Sequence, residues 1–197
     1  AAVLWLTPFV IMVLIAVNQT NTTSFLDLLN PSSMGVKNFA DAWQQGYFSV
    51  GFFNTLIVTV VSVAAILLLS AMAGYALSKF SFLGKKLLTA LMAVTVLIPT
   101  VFFTIPVYQI LRMMHVDTTL AGLILAEVGG AHVIFILMFR QFFDNLPNEL
   151  TESAKMDGCS EYQMFWKIYF PISKPIIGTV VITQSIWTWN SFLFPLI

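Results

Sequence analysis

The chain has 197 residues, of which 58% are hydrophobic and only 9% charged, and its mean hydropathy is +0.88. Soluble domains carry about a quarter of their residues as charges, so this composition excludes an ordinary soluble protein and predicts an integral membrane chain. Nine basic residues balance nine acidic ones, which leaves no basic footprint for nucleic acid and excludes it as a partner.

The chain opens inside an apolar run, residues 1–17, with no basic n-region and no small-residue cleavage site. That pattern fits a membrane helix lacking its start better than a signal peptide. The far end, Pro195-Leu196-Ile197, is also apolar, so the expectation is a segment of a longer protein, truncated at both ends. Between residues 18 and 51 lies a polar stretch whose two sequons, at Asn18 and Asn21, are weak signals.

A bilayer core takes about 20 apolar residues per helix. Further runs stand at residues 52–78, 87–111, 120–143 and 176–195. None alternates as a barrel strand would, and a chain in lipid must satisfy its own backbone, which leaves helices. The expected fold is all-α, a polytopic helical bundle in one transmembrane domain, residues 1–197.

Lys79, Lys85 and Lys86 separate the second and third runs, and Arg140, Lys155, Lys167 and Lys174 the fourth and fifth; Lys37 and Arg112 fall on the other side. By the positive-inside rule the larger group is cytoplasmic, which also puts the N-terminus of the first run inside.

Glu127 lies within the fourth run, where an ionisable group is expensive and marks function by default. It is also only about eight residues, roughly 12 Å, from the outer end. Lining of a pathway and a hydrated or paired structural role therefore both stay open. His132 lies about 140° further round a regular helix, a poor partner unless Gly129-Gly130 distorts it. Pro99 and Pro106 read as kink-formers.

The connection at residues 144–172 is the most polar interruption. Pro147 suits an early helical position, Glu149 and Glu152 the positive end of the dipole, Lys155 the other end, and Gly158 a C′ position. Ser160 with Gln163 is a capping-box pattern that starts a second helix. Pro171 and Pro175 are expected to punctuate the chain before the last run. Such a loop lies flat on the membrane or docks a partner, and physics alone leaves both open. Cys159 has no partner for a disulfide and no metal-ligand spacing, which makes it a small residue in a turn.

In the last run Asn190 offers a hydrogen bond to a sugar hydroxyl beside Trp187 or Trp189, whose rings would stack on the sugar; an interfacial aromatic belt explains the same residues. No Walker-type loop, no Gly-x-Ser-x-Gly nucleophile and no His-Glu-x-x-His pair occurs. The sequence predicts no catalytic residue, no metal and no cofactor.

Glu152, Ala154, Gly158, Ile168 and Pro171 fall at the spacing of the EAA motif of ABC importer permeases, with Ser153 in place of the middle Ala and Phe170 in place of Leu. Asn54-Thr55, the turn from Ala76 to Lys86, Ile98-Pro99, Ile105-Pro106-Val107-Tyr108 and the ending from Trp189 to Ile197 resemble the carbohydrate-uptake permeases of the maltose MalG type. The resemblance covers the whole chain and implies the type I importer permease fold with five of six spans present. It implies a bacterial inner-membrane subunit of an ATP-driven importer for a sugar, oligosaccharide or polyol.

The partners so implied are a cytoplasmic ATP-binding subunit dimer, a second permease of the MalF kind, an extracytoplasmic solute-binding protein and lipid. Glu149, Glu152, Ala154, Asp157 and Gly158 are then the ATPase-coupling residues, and Glu127, Trp189 and Asn190 the substrate-pathway candidates. Importers of polyamine or phosphate share the coupling motif and stay as alternatives. An ion-coupled carrier is a further one, although only Glu127 and His132 lie inside a run.

Overall fold

The computed structural model describes residues 2–20, 28–129 and 132–196. The sequon at residues 21–23, Gly130, Ala131 and Ile197 lie outside them. Among the described residues all regular structure is helical apart from an isolated antiparallel bridge, Asn18 with Met34. Contacts divide the chain into two compact units, Ala1–Asn54 and Thr55–Ile197.

In the first unit, α1 (Ala2–Val17) is followed by a 3-10 turn at Pro31–Ser33 and α2 (Lys37–Gln45). The end of α1 would leave carbonyls orphaned, and Asn38 meets two of them, donating Nδ2 to Ala16 O at 3.2 Å and to Asn18 O at 2.5 Å. Asn18, the first sequon's asparagine, is buried and donates Nδ2 to Ser33 Oγ at 2.9 Å. This side chain serves the turn rather than presenting itself to solvent.

Helix α3 (Phe48–Lys79) starts four residues before its apolar run and contributes to both units. It is the one described helix long and apolar enough by itself to cross a bilayer. The third run is not a rod: α4 (Lys85–Thr95) and the segment Thr100–Met113, a 3-10 turn leading into α5 (Thr104–Met113), meet at 102°. Pro99, in extended backbone at ψ 131°, is the cause, since it lacks an N–H and drives the residue before it out of helical geometry. Pro106 sits in the first turn of α5, where no N–H is needed.

The fourth run is likewise two helices, α6 (Leu120–Gly129) and α7 (Val133–Asp144), inclined at 51°. Each bent pair passes as one span by length and composition. Helices α1 and Lys174–Trp189, at 16 residues each, reach roughly 24 Å, short of a hydrocarbon core of about 30 Å.

The core of the second unit joins α3 (Ile66, Ala71, Tyr75), α7 (Phe135, Phe139, Phe143), and the segment around Met164, Phe165 and Tyr169. Lipid is as apolar as these side chains, so close packing rather than water exclusion must hold them. Ser70, Gly74 and Ser78, spaced by four, provide the approach. A Cβ at Gly74 would stand 2.5 Å from Phe139 Cβ and 2.9 Å from Arg140 N, and Ser78 Oγ donates to Asp144 Oδ1 at 2.7 Å.

After α8 (Glu149–Met156) and a turn at residues 157–160, the chain is helical nearly without pause from α9 (Glu161–Met164) through a π turn at Phe165–Tyr169 and α10 (Phe170–Ile172) to α11 (Lys174–Trp189), and α12 (Leu193–Leu196) follows. The expectation that Pro171 and Pro175 interrupt this stretch is corrected. Both occupy first-turn positions, and the π turn directly before Pro171 absorbs the break in the i→i−4 ladder. Ser173 closes the joint, donating its Oγ to Phe170 O at 2.7 Å.

Candidate functional site

Two places in the second unit gather the residues singled out in the sequence. The first is built around α8. Its C-terminus is a Schellman turn: Gly158 N donates to Lys155 O and Cys159 N to Ala154 O, both at 3.0 Å, with Gly158 at φ +75°. Only glycine adopts that left-handed backbone without strain. Cys159 is thus the turn residue that the sequence implies. Ser160 and Gln163 then form a complete capping box, Ser160 N to Gln163 Oε1 at 2.9 Å and Gln163 N to Ser160 Oγ at 3.3 Å.

Helix α8 has two distinct faces. Ala154 is 4% exposed and joins the hydrophobic core, so the close approach that its small side chain permits is made to this chain's own helices. That corrects the expectation of Ala154 as a contact for an outside surface. Thr151 Oγ1 meets the hydroxyl of the buried Tyr169 at 2.5 Å, a second tie inward. Glu149, Glu152, Ser153, Asp157 and Gly158 are exposed, and Met156, at 88%, stands almost free.

The base of α8 is bolted to α3. Glu161 accepts from Tyr75 Oη at 3.0 Å through Oε2 and pairs with Lys155 Nζ at 3.2 Å through Oε1. Lys79 Nζ lies 5.1 Å from the centre of the Tyr169 ring, a cation–π distance. Lys85 donates to Ser78 O at 3.3 Å, in the last turn of α3, and to Phe80 O at 3.0 Å just beyond it. Arg140 Nε stands 3.4 Å from Asp144 Oδ2, an ion-pair distance without hydrogen-bond alignment. Four of the seven basic residues counted together in the sequence, Lys79, Lys85, Arg140 and Lys155, thus meet at the end of the bundle that carries α8.

The second place is a cavity of about 520 Å³ lined in part by Phe103, Glu127, His132, Gln184, Trp187 and Ser191. Glu127 is the eighth residue of α6 and only 8% exposed. Its Oε2 accepts from Thr188 Oγ1 at 3.4 Å, and Thr188 Oγ1 accepts from Gln184 Nε2 at 2.9 Å. The break between α6 and α7 brings His132 back toward Glu127, as a regular helix would not. The contact is to the backbone, His132 Nε2 to Glu127 O at 2.5 Å. Trp187 is held by a stack on Phe135, centroids 5.5 Å apart. Trp189 and Asn190 are not among the lining residues; Asn190 caps α11, donating Nδ2 to Ile186 O at 2.8 Å.

Trp187, one of the two indoles expected to stack on a sugar, does line the cavity, whereas Gln184 and Thr188 were not anticipated. Gln184 and Thr188 lie four apart on one face, but Thr179, Thr183 and Ser185 in the same helix hide that spacing as a signal. No group of three or more His, Cys, Asp or Glu placed to hold a metal occurs among the described residues.

Residues 66–197, more than half of the chain, match the family of binding-protein-dependent transport system inner membrane components. The chain belongs to that family. This inner-membrane component is 32% identical over 171 residues to the arabinooligosaccharides transport system permease protein AraQ of Bacillus subtilis, covering 86% of this chain and 60% of the relative. It is 29% identical over 195 residues to a probable starch degradation products transport system permease protein, AmyC of Thermoanaerobacterium thermosulfurigenes, covering 98% of this chain and 70% of the relative. It therefore spans about three-fifths of the length of the AraQ permease.

Its fold is that of an importer permease. A bacterial ABC transporter involved in the import of the acidic polysaccharide alginate superposes with a TM-score of 0.80 at 22% identity, over 96% of this chain and 67% of that one. The matched region of the family contains both places described above, the α8 turn and the Glu127 cavity.

Proposed function

We propose that this chain is a membrane-spanning permease subunit of an ATP-driven importer for sugars or oligosaccharides. It lines part of the translocation pathway and takes work from a separate ATPase through α8. The observation that carries the reading is α8 itself: a short helix fixed inward by Ala154 and Thr151, held at its base by Tyr75 and Glu161, and open outward at Glu149, Glu152 and Asp157.

A helix so mounted moves with the bundle rather than against it. Closure of an ATPase dimer on its outer face would push α3 and the Phe165–Tyr169 segment together, biasing the bundle between two packings. The concentration of basic residues at that end supports a cytoplasmic location by the positive-inside rule. The sugar class rests on the cargo that the AraQ and AmyC permeases are named for. A second permease, an ATPase dimer and a solute-binding protein complete the assembly.

The test is uptake by the full-length protein, expressed with its ATPase, partner permease and binding protein and supplied with labelled maltotriose or arabinotriose. Gly158→Leu is expected to abolish uptake and to reduce the ATPase that co-purifies. Assembly and uptake both equal to the parent protein would refute the coupling role.

A further inference from the structure

The cavity beside Glu127 carries a surplus of hydrogen-bond acceptors. Gln184 is 1% exposed and gives its amide N–H to Thr188 Oγ1 at 2.9 Å, yet its Oε1 is buried without a partner. A buried amide oxygen in a low-dielectric interior is normally paired, and one that lines a cavity without a donor marks a missing partner.

Thr188 Oγ1 accepts from Gln184, so its own proton is free to go to Glu127 Oε2 at 3.4 Å, which makes the glutamate the acceptor. A carbonyl only accepts, so His132 Nε2 donates to Glu127 O at 2.5 Å. Gln184 and Glu127, on two helices, thus present acceptors to a cavity that is also lined by Trp187, an indole held by its stack on Phe135. The volume, about 520 Å³, is within the range of small-ligand sites, about 300–1,000 Å³.

We propose that this cavity binds one ring of an uncharged saccharide, with hydroxyl donors on Gln184 Oε1 and Glu127 and the apolar ring face on Trp187, and that Glu127 excludes acidic sugars. Hydroxyls are donors that ask for no counter-charge, as this arrangement requires. A uronate carboxylate offers acceptors and no donor, so beside Glu127 and Gln184 Oε1 it would set acceptor against acceptor. The inference rests on the importer reading above and adds to it a site within this subunit and a charge rule for its cargo.

Direct binding separates the two, because uptake also reflects the binding protein. The complete transporter of both permeases and the ATPase dimer, in nanodiscs without binding protein, is titrated by saturation-transfer NMR with maltotriose, arabinotriose, trigalacturonate and spermidine. Saturable binding of a neutral trisaccharide is expected, weakened about tenfold by Gln184→Leu, the loss of one hydrogen bond to the ligand. Trigalacturonate is expected to bind only after Glu127→Gln. If Gln184→Leu does not assemble, Trp187→Leu takes its place with the same expectation.

Neutral binding indifferent to all three substitutions overturns the site, as does a parent protein that prefers trigalacturonate or spermidine. With sugar uptake intact, only this inference then falls; loss of sugar uptake in the parent transporter removes the importer reading itself.

Discussion

Tyr75 and Glu161, 86 positions apart, share a hydrogen bond of 3.0 Å that joins the end of α3 to the first residue of α9. The other oxygen of the same carboxylate holds Lys155 on α8. One side chain therefore links the membrane helix, the outward-facing helix and the start of the π-turn segment.

Tyr75→Phe keeps the ring contacts with Tyr169 and Phe165, at 5.0 and 5.4 Å, and removes only the hydroxyl. Glu161 is 40% exposed at its side chain and can return to water, so the expected loss is about 1 kcal/mol rather than that of a stranded charge. The thermal midpoint of the purified transporter should fall slightly, and more ATP should be hydrolysed per sugar imported. A midpoint and a coupling ratio both equal to the parent's would show that the bond transmits nothing.

Lys155→Met tests the other half of the link and should do little. The pair is half in solvent, with Lys155 57% exposed, and exposed ion pairs contribute up to about 1 kcal/mol, reduced by salt. Denaturation curves should agree with the parent's to about 0.5 kcal/mol. A loss of 2 kcal/mol or more would mean that Glu161 needs the lysine and that the Tyr75 bond is not the principal tie.

Gly158 has open space around the Cβ that it lacks, so any substitution there is penalised by backbone conformation alone. Gly158→Asn is expected to cost least, Gly158→Ala about 1 kcal/mol, and Gly158→Val most, because a β-branched side chain tolerates positive φ worst. Transport should decline in the same order. Equal effects of Asn and Val would place the cause in a contact surface instead of the turn.

The α8 turn was legible in the sequence because its signals are local: Gly158 and the Ser160–Gln163 box each act within four residues, whereas Pro147, expected at an early helical position, precedes the N-cap Asn148. The bundle was legible as a set of apolar runs, but not as bent ones. The 102° break at Pro99 and the smooth passage through Pro171 come from the same residue type, and its outcome depends on where the helix starts. Tyr75, Gln184 and Thr188 were missed for another reason. Their roles arise from partners 86 and 61 positions away or from a cavity wall, which no periodicity encodes. Ala154 was counted among the ATPase-coupling residues by resemblance, and a single small residue carries no local signal for the inward seat that it takes.

Gly74→Leu should be the most damaging single change in the second unit. Its Cβ would meet Phe139 Cβ at 2.5 Å and the Arg140 backbone at 2.9 Å, so α3 and α7 must separate, and overpacking of this kind costs about 1–3 kcal/mol or more. Loss of the Ser78–Asp144 bond of 2.7 Å should follow. Reduced membrane accumulation of the full-length protein, measured by immunoblot, is the readout, and normal accumulation would mean that the helices do not pack as described.

The central claim is that the exposed face of α8 docks on an ATPase. Ser153 is exposed on that face, so Ser153→Cys, in a Cys159→Ser background, places one thiol there in the complete transporter. A short thiol-to-amine crosslinker should join this chain to the ATPase subunit, with a yield that changes when ATP is bound. A thiol that reacts freely with a soluble maleimide yet never crosslinks to the ATPase, with or without nucleotide, would contradict the account.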